Sequence, residues 1–363
     1  MTSKTLSISH RTRPTPFTNR VEEAGVTAYT VYNHMLLPTA FGGFEQDYWH
    51  LCEHVQVWDV SCQRQIEIKG PDSERLIQLM TPRDISRAVI GQGMYAPLCG
   101  ERGNIINDPV IIKFAPGNWW ISIADSDVKL WAKGLATGYG LDVSIREPDV
   151  WPLAVQGPKA EELVSRVFGS EVHSIRFFRS KMLEFQGKKM MVARSGYSKQ
   201  GGFEIYLNDA NLGEPLWDEL FRLGEDLQVQ PGCPNLIERI ESSLLSYGND
   251  MTDDYNPFEC GLDAYIDIDA DIDSISLPAL RALRGKHVHQ LMGLTFDQPM
   301  IFEHFSIAVE DRIVGEIRSH VWSPRYQKHI AMVMMKRDFL SANSSLTVNG
   351  ISGDIVDLPF AFD

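Results

Sequence analysis

Hydrophobic and polar positions alternate most clearly around a glycine-containing stretch in the middle of the chain. An apolar run at 190–193 leads into the loop 194–202, and a second run follows at 203–206. Apolar runs separated by glycines predict two strands joined by a tight loop. The period of two along a strand then places Glu204 and Tyr206 on one face, with the apolar residues on the other.

Two interpretations of that polar face remain open. A carboxylate beside a phenol, with Tyr197 at the start of the loop, would suit a flat heterocycle with N–H donors, because a carboxylate accepts paired hydrogen bonds and phenols supply packing faces. The alternative is a hairpin with a solvated outer face, since Glu and Tyr are common on exposed strands.

The same patterns predict helices and strands along the rest of the chain. Helical spacing predicts helices over 45–54, 71–79, 159–168, 216–227 and 235–247. Strands are predicted within 28–38, 55–61, 65–70, 105–112, 119–124 and 153–158, and the chain is rich in strands from 291 onward. This mixture predicts an α+β fold.

A carboxylate interrupts the predicted strand 105–112. Asp108 lies among apolar residues and is followed by Pro109. A buried carboxylate needs a partner or a function, and the predicted strand 119–124 would complete a hairpin that holds Asp108 rigidly. A carboxylate that only caps a turn is the alternative.

Polar atoms are unusually dense in the segment 28–38, which begins as a strand and ends at a proline. The polar side chains are Tyr29, Tyr32, Asn33 and His34, and we expect Tyr32 and His34 to contact a ligand. A histidine of this kind serves a structural purpose as readily as a functional one, and the sequence leaves both open for His34.

Composition narrows the class of partner. The 363 residues carry a net charge of −14, which disfavours nucleic acid and anionic membranes as partners. No apolar run approaches membrane-spanning length, and the first twenty residues lack a hydrophobic signal core. We therefore expect a cytoplasmic protein. The five cysteines are far apart and include no Cys-x-x-Cys pair, which predicts reduced thiols and no zinc site.

Short motifs follow one another in an order that resembles the folate-dependent aminomethyltransferase family, which includes the T-protein of the glycine cleavage system. The motifs are Trp58–Ser61, Gly103–Asp108, Ala154–Pro158, Arg194–Tyr197, Gly202–Ile205, Arg239–Glu241, Tyr247–Asp250 and Val314–Ser319. Several longer strings, among them Glu53–Ser61 and Gly232–Glu241, are similar to a branch of this family that demethylates a sulfonium compound.

The resemblance implies a three-domain cloverleaf of antiparallel sheets with flanking helices, built around a central folate channel. The implied boundaries are a folate-binding domain at 1–52 and 143–250, an inserted α+β domain at 53–142, and a C-terminal β domain at 270–363.

The resemblance also implies roles for individual residues. Asp108 would be catalytic, near the reacting nitrogens. The residues implied to bind the folate cosubstrate are Tyr197, Glu204, Tyr206, Arg239 and Ser122, with Glu204 on the pterin and Arg239 facing the folate carboxylates. The residues implied to bind the methyl donor are Tyr32, His34 and Trp120.

The implied reaction moves a methyl group from the sulfonium of dimethylsulfoniopropionate to N5 of tetrahydrofolate, which gives methylthiopropionate and 5-methyl-tetrahydrofolate. Its partners are a small-molecule methyl donor and folate, a metal is not required, and a homodimer is possible. The segments Gly42–Gly43 and Gly93–Ala96 depart from the expected pattern. They keep open a methylated amine or another sulfonium as substrate, and a folate-binding protein without catalysis is a further alternative.

Overall fold

The computed structural model describes residues 8–302, 304–309, 312–340, 345–348 and 350–361. Within these ranges the α-helices, numbered α1 to α9 in chain order, are Thr18–Glu23, Phe44–Glu53, Ser73–Met80, Val128–Gly138, Ala160–Phe168, Gly213–Leu223, Leu236–Glu241, Leu277–Leu283 and Arg337–Leu340. Short 3-10 helices lie at Ser170–Ser174, Ala210–Leu212, Glu225–Leu227 and Asp263–Tyr265.

The strands of the same ranges, numbered β1 to β21 in chain order, are Ala28–Tyr32, Met35–Ala40, Val55–Asp59, Gln65–Lys69, Gly93–Tyr95, Leu98–Cys99, Ile105–Asn107, Val110–Ala115, Asn118–Ser122, Ser144–Arg146, Trp151–Gln156, Ser180–Phe185, Lys188–Ala193, Gly202–Leu207, Val229–Gly232, His289–Phe296, Ser306–Val309, Arg312–Ser323, Lys328–Lys336, Ser345–Val348 and Ile351–Val356. This mixture of helices and antiparallel strands confirms the α+β class.

The chain divides into two compact units. The first contains the described residues of 1–64, 149–196 and 200–235, and the second contains those of 65–148, 197–199 and 236–363. The three-domain boundaries drawn from the sequence stay a prediction. In the described part of the chain, no helix combines the length and apolar character that a bilayer crossing requires.

The first unit is built on a six-stranded sheet in the order β12-β13-β14-β11-β3-β15. Neighbouring strands are antiparallel except β15, which runs parallel to β3. Alternate residues of the central strands, together with apolar residues of α5 and α6, form one buried core. The opposite face of the same strands carries Glu204, Tyr206 and Trp58.

A β-hairpin occupies 28–40, where the sequence predicted one strand that ends at Pro38. β1 pairs with β2, and Asn33 and His34 form the turn with φ of +48° and +63°. Two consecutive residues with positive φ are typical of a type I′ turn, which asparagine tolerates well. Pro38 lies inside β2 and does not end the segment, so the prediction was wrong at this point.

The second unit contains a five-stranded sheet in the order β10-β4-β9-β8-β5. Its inward side chains, such as Ile66, Trp119 and Ile121, pack against apolar residues of α3 and α4. The strand predicted over 105–112 is split into β7 and β8 at Asp108 and Pro109. Proline has no N–H to donate, which explains the interruption at this position.

The C-terminal part of the second unit forms a six-stranded antiparallel sheet in the order β17-β18-β19-β16-β21-β20. This confirms the predicted C-terminal β region. The helix predicted over 235–247 is wrong beyond Glu241. Ser243 has a φ of +53°, and the N–H of Leu244 donates to the carbonyl of Arg239 at 2.8 Å, so a left-handed residue ends α7 after six residues.

Candidate functional site

Glu204 lies in the middle of the first unit's sheet and is only 8% exposed. Its neighbours across the two flanking strands are Ala154 on β11 and Ala193 on β13. Because alanine side chains are short, they leave space beside the Glu204 carboxylate. The interpretation of this face as a solvated hairpin surface is therefore wrong, because Glu204 and Tyr206 are both buried.

Two hydroxyl groups hold the Glu204 carboxylate. The Ser195 hydroxyl donates a hydrogen bond to Oε2, and Tyr206 donates a second hydrogen bond to the same carboxylate. Burial raises the pKa of Glu204 above its ordinary value, and the two hydrogen bonds act in the opposite direction. An ionised carboxylate has about four acceptor positions, so two donors leave room for a ligand's N–H groups.

In the second unit, Asp108 follows β7 and is partly buried. The Tyr95 hydroxyl donates to its Oδ2 at 3.0 Å. The pKa of Asp108 is raised to about 7, chiefly by burial. The Tyr95 hydrogen bond lowers this pKa, whereas the charge of Asp250 contributes to raising it. A carboxylate with a pKa near neutrality exchanges protons efficiently at physiological pH, which is the property of a general base.

The residues around Asp108 fix its position. Tyr95 packs edge-on against Tyr265 with ring centroids 4.7 Å apart, and the Arg83 guanidinium donates to the backbone carbonyl of Tyr95. The fully buried Asn107 donates to the Ser126 hydroxyl at 2.9 Å and accepts from the N–H of Ala124 at 3.1 Å. Asn107 therefore anchors the chain immediately before Asp108 to the segment that follows β9.

Tyr197 is held within the second unit by its hydroxyl group. The hydroxyl donates to the carbonyl of Leu245 at 2.7 Å and lies 3.1 Å from the carbonyl of Leu244. Burial raises the pKa of Tyr197 well above its usual range, so the phenol stays protonated. Its hydrogen-bonding group is thus used structurally, and the ring is the part of Tyr197 that remains for packing.

Arg239 belongs to a buried polar network. Its Nη1 pairs with Oδ2 of Asp250 at 2.8 Å, its Nη2 donates to the Ser319 hydroxyl at 2.6 Å, and the Ser319 hydroxyl donates to Asp250. Arg239 is 7% exposed and Asp250 is fully buried. The charge of Arg239 is therefore compensated inside this unit. The contact with a folate carboxylate that the resemblance implies stays a prediction, which this pairing does not favour.

Ser122 and Trp120 share one face of β9. The Ser122 hydroxyl accepts from Gln65 at 2.9 Å, and Ser122 pairs with Val110, two residues after Asp108. Trp120 is buried and stacks on Phe114 with ring centroids 4.4 Å apart. One face of this indole is therefore covered by another aromatic ring.

Tyr32 and His34 lie at the end of the β1–β2 hairpin. Tyr32 is partly buried, whereas His34 is exposed in the turn. Asn33 between them donates to the carbonyl of Cys62 at 3.0 Å and so fixes the turn. His34 itself forms the turn, so its structural and functional interpretations both stay predictions.

Several residues of these sites were missed by sequence reasoning. They are Ser195, Tyr95, Asn107, Asp250 and Gln156. Gln156 had a usable signal, because it is a polar residue at the end of an otherwise apolar strand. The others act through side-chain hydrogen bonds across turns and loops, which periodicity does not reveal. In the described ranges, no three His, Cys, Asp or Glu side chains are grouped as metal ligands.

Comparisons with known proteins agree along nearly the whole chain. The model of the GCVT N-terminal domain matches residues 17–270, and that of the glycine cleavage T-protein C-terminal barrel domain matches residues 289–360. Dimethylsulfoniopropionate demethylase DmdA of Ruegeria pomeroyi is 47% identical over 347 residues, which cover 95% of each chain. An aminomethyltransferase of Clostridium botulinum is 27% identical over 86% of each chain.

Among solved structures, the glycine cleavage system aminomethyltransferase T of Bartonella henselae superposes with a TM-score of 0.83 at 21% identity. The match covers 95% of this chain and 97% of that chain, so the two share a fold. From the family match over residues 17–270 and the relative at 47% identity, we conclude that this chain belongs to the glycine cleavage T-protein family of folate-dependent aminomethyltransferases.

Proposed function

We propose that this chain demethylates dimethylsulfoniopropionate and transfers the methyl group to tetrahydrofolate. The observation that carries this proposal is the 47% identity, over 95% of both chains, to a dimethylsulfoniopropionate demethylase. The buried Glu204 and the near-neutral pKa of Asp108 supply chemistry that suits the reaction.

The reaction forms one bond and breaks one bond. A bond forms between the methyl carbon and N5 of the folate while the carbon–sulfur bond breaks, and sulfur keeps the electron pair as a neutral thioether. The products are methylthiopropionate, 5-methyl-tetrahydrofolate and the proton that leaves N5. Because a thioether is a good leaving group, the chain needs no acid at sulfur. Alignment of the reactants supplies most of the rate, up to about 7–11 kcal/mol where it is good.

Glu204 is proposed to bind the pterin. The amino group and ring N–H of a pterin are adjacent donors, and an ionised carboxylate can accept from both. Ser195 and Tyr206 hold this carboxylate, while the alanines on the flanking strands leave space beside it. These observations fit the cosubstrate, and Tyr206 would also pack against the pterin ring.

Asp108 is proposed to accept the proton that N5 loses. Its pKa of about 7 means that the carboxylate is largely ionised above neutral pH and still basic enough to take a proton. The Tyr95 hydroxyl occupies Oδ2, so Oδ1 is the oxygen assigned to the proton.

The remaining roles stay proposals with different support. The partly buried ring of Tyr197 and the Ser122 hydroxyl, which lies near the start of β8, are proposed to contact the folate. Arg239 is proposed to face the carboxylate side of the folate while it stays paired with Asp250. Aromatic faces attract a cationic sulfur by about 0.5–2 kcal/mol each, which supports Tyr32 and Trp120 as contacts of the methyl donor. His34, exposed in its turn, is proposed to contact the same ligand.

A substrate panel tests the proposed function. The protein is incubated with tetrahydrofolate and, separately, with dimethylsulfoniopropionate, dimethylglycine or glycine betaine, and 5-methyl-tetrahydrofolate is quantified. We expect product with dimethylsulfoniopropionate alone. Turnover of only the amines would replace the sulfonium substrate by a methylated amine, and folate binding without any turnover would indicate a non-catalytic protein.

We also propose a cytoplasmic homodimer. The first unit carries exposed apolar side chains beside its edge strand β12: Phe177 is 70% exposed and Met182 is 46% exposed. Such residues support association with a second copy. Light scattering after size-exclusion chromatography should give about twice the chain mass of 41.0 kDa. A mass equal to that of one chain would reject the dimer.

A further inference from the structure

A fully buried glutamine lies at the end of β11, beside the loop that leads to Glu204. Gln156 pairs with Gly202 on β14 and with Gln56 on β3. Its Nε2 donates to the carbonyl oxygen of Ser195 at 3.1 Å and lies 3.3 Å from the carbonyl oxygen of Val155. One side-chain amide thus connects the strand to the loop.

The loop is shaped to admit this amide. A Cβ atom at Gly196 would lie 2.0 Å from Nε2 of Gln156, and one at Gly202 would lie 2.4 Å from the same atom. Both glycines have positive φ, +150° and +155°. The Gln156 amide therefore occupies space at both ends of the 196–202 loop that only glycine leaves open.

Ser195 transmits this arrangement to the carboxylate. Gln156 fixes the backbone carbonyl of Ser195, while the hydroxyl of the same residue donates to Glu204. All three residues are buried, so water does not readily replace a lost hydrogen bond. A change at residue 156 would move the Ser195 donor and with it the orientation of the Glu204 carboxylate.

We propose that Gln156 is a positioning residue for the pterin-binding carboxylate, acting on Glu204 through Ser195. The assignment of the ligand rests on the proposed function, whereas the coupling between Gln156 and Glu204 does not. In this arrangement the glutamine selects the carboxylate orientation that meets two adjacent N–H donors. A ligand with a single donor would gain less from it.

The test compares Gln156→Met with Gln56→Met. Methionine has a similar length and no N–H donor. Gln56 is the matched control, because it lies directly opposite, is equally buried, and uses its amide on the carbonyl of Asp47 and the indole of Trp58. Each protein is labelled with ¹³C-glutamate, and the Glu204 signal is identified by its loss in Glu204→Gln.

We expect Gln156→Met to raise the measured pKa of Glu204 by about one unit, because the Ser195 donor no longer stabilises the ionised form. Gln56→Met should leave that pKa unchanged. Tetrahydrofolate should bind Gln156→Met about tenfold more weakly at neutral pH. A change of this size corresponds to the loss of the one hydrogen bond from Ser195 to Glu204. If Gln156→Met does not fold, Gln156→Leu also lacks the donor, adds no charge, and takes its place.

A double-mutant cycle with Glu204→Gln separates positioning from general destabilisation. If Gln156 acts through Glu204, Gln156→Met should weaken folate binding little further in the Glu204→Gln background. An additive loss, or an unchanged Glu204 pKa in Gln156→Met, would overturn the proposal. Wild-type protein that binds no folate would instead reject the proposed function, and the NMR titration would still decide whether the two residues are coupled.

Discussion

Glu204 of the first unit and Asp108 of the second unit are carboxylates whose pKa values are raised by burial. Glu204 is held by Ser195 and Tyr206, and Asp108 is held by Tyr95. In both cases burial raises the pKa and the hydroxyl donors only partly compensate. Buried ionised groups destabilise a fold, so residues of this kind are expected where function requires them.

Glu204→Gln tests the role of the first carboxylate. The amide keeps the size of the side chain and presents one acceptor where the carboxylate presents two, so tetrahydrofolate should bind about 10- to 100-fold more weakly, in line with about 1.5–3 kcal/mol for hydrogen bonds to a charged group. Fluorescence titration measures the affinity. Glu184→Gln on the edge strand β12 is the control, because Glu184 is exposed. Equal affinities of Glu204→Gln and wild type would remove Glu204 from the pterin site.

Asp108→Asn tests the second carboxylate through its pH dependence. Since Asp108 must be ionised to accept a proton, wild-type kcat/KM should fall below about pH 7 and level off above it. Asparagine should lower kcat by about 10²- to 10⁴-fold, the usual contribution of a general base, and remove this dependence. A wild-type rate that is flat from pH 5.5 to 8.5 would exclude Asp108 as the base.

The same substitution has a predictable effect on stability. The folded-state pKa of Asp108 lies above its unfolded value, so the unfolded chain loses this proton first as pH rises from about 4 to 7. The contribution of Asp108 to wild-type stability therefore declines across that window, and Asp108→Asn lacks this contribution. Thermal unfolding measures the effect. The Tm of Asp108→Asn minus the Tm of wild type should be larger at pH 8 than at pH 5.

Where the 196–202 loop enters β14, the backbone of β14 passes very close to the backbone of β11. A Cβ at Gly202 would lie 2.3 Å from the carbonyl oxygen of Val155, whereas a Cβ at the adjacent Gly201 would meet no atom within 4 Å. The two glycines have positive φ in common and differ in the space around them.

Gly202→Ala should therefore destabilise the protein more than Gly201→Ala does. Positive φ alone costs about 1–3 kcal/mol, and the overlap with β11 should add about 1–3 kcal/mol for Gly202→Ala. Urea unfolding measures both. Equal losses would show that β14 can move away from β11, which would contradict the close approach described above.

The short helix α7 supplies a second test at this scale. Replacing Arg239 by methionine would leave Asp250 buried without its partner, so Arg239→Met should lower stability by about 3–5 kcal/mol. Adding Asp250→Asn should recover part of that loss. If Arg239 serves mainly to bind folate, Arg239→Met would instead weaken folate binding with little change in unfolding free energy.

Sequence patterns predicted these elements unevenly. Alternation placed Glu204 and Tyr206 on one face of β14, whereas the strand predicted over 105–112 is in fact broken at Asp108 and Pro109. The helical spacing of 235–247 failed because Ser243 adopts a left-handed φ of +53°, and its hydroxyl accepts a hydrogen bond from the distant N–H of Phe360 at 3.1 Å. The partners Ser195 and Tyr95 lie only 9 and 13 residues from their carboxylates, but they were missed because a side-chain hydrogen bond across a turn leaves no periodic trace.

Along the full length of the chain, the order of the sequence motifs indicates the family more strongly than any single motif does. Each motif is weak alone, but the order of motifs extends from residue 58 to residue 319 and coincides with family matches at 17–270 and 289–360. The fold and the family could therefore be predicted from the sequence alone. The substrate depends on side chains around the donor, which vary among enzymes that share one fold.

If the methyl group passes directly from sulfur to N5, its three hydrogen atoms must stay on the carbon. The protein is incubated with tetrahydrofolate and dimethylsulfoniopropionate that carries trideuterated methyl groups on sulfur. The masses and amounts of the products are measured by mass spectrometry. Direct transfer should give 5-methyl-tetrahydrofolate that retains all three deuterium atoms, formed in equal amount to methylthiopropionate. Methylthiopropionate without labelled methylfolate, or a methylfolate that has lost deuterium to solvent, would contradict it.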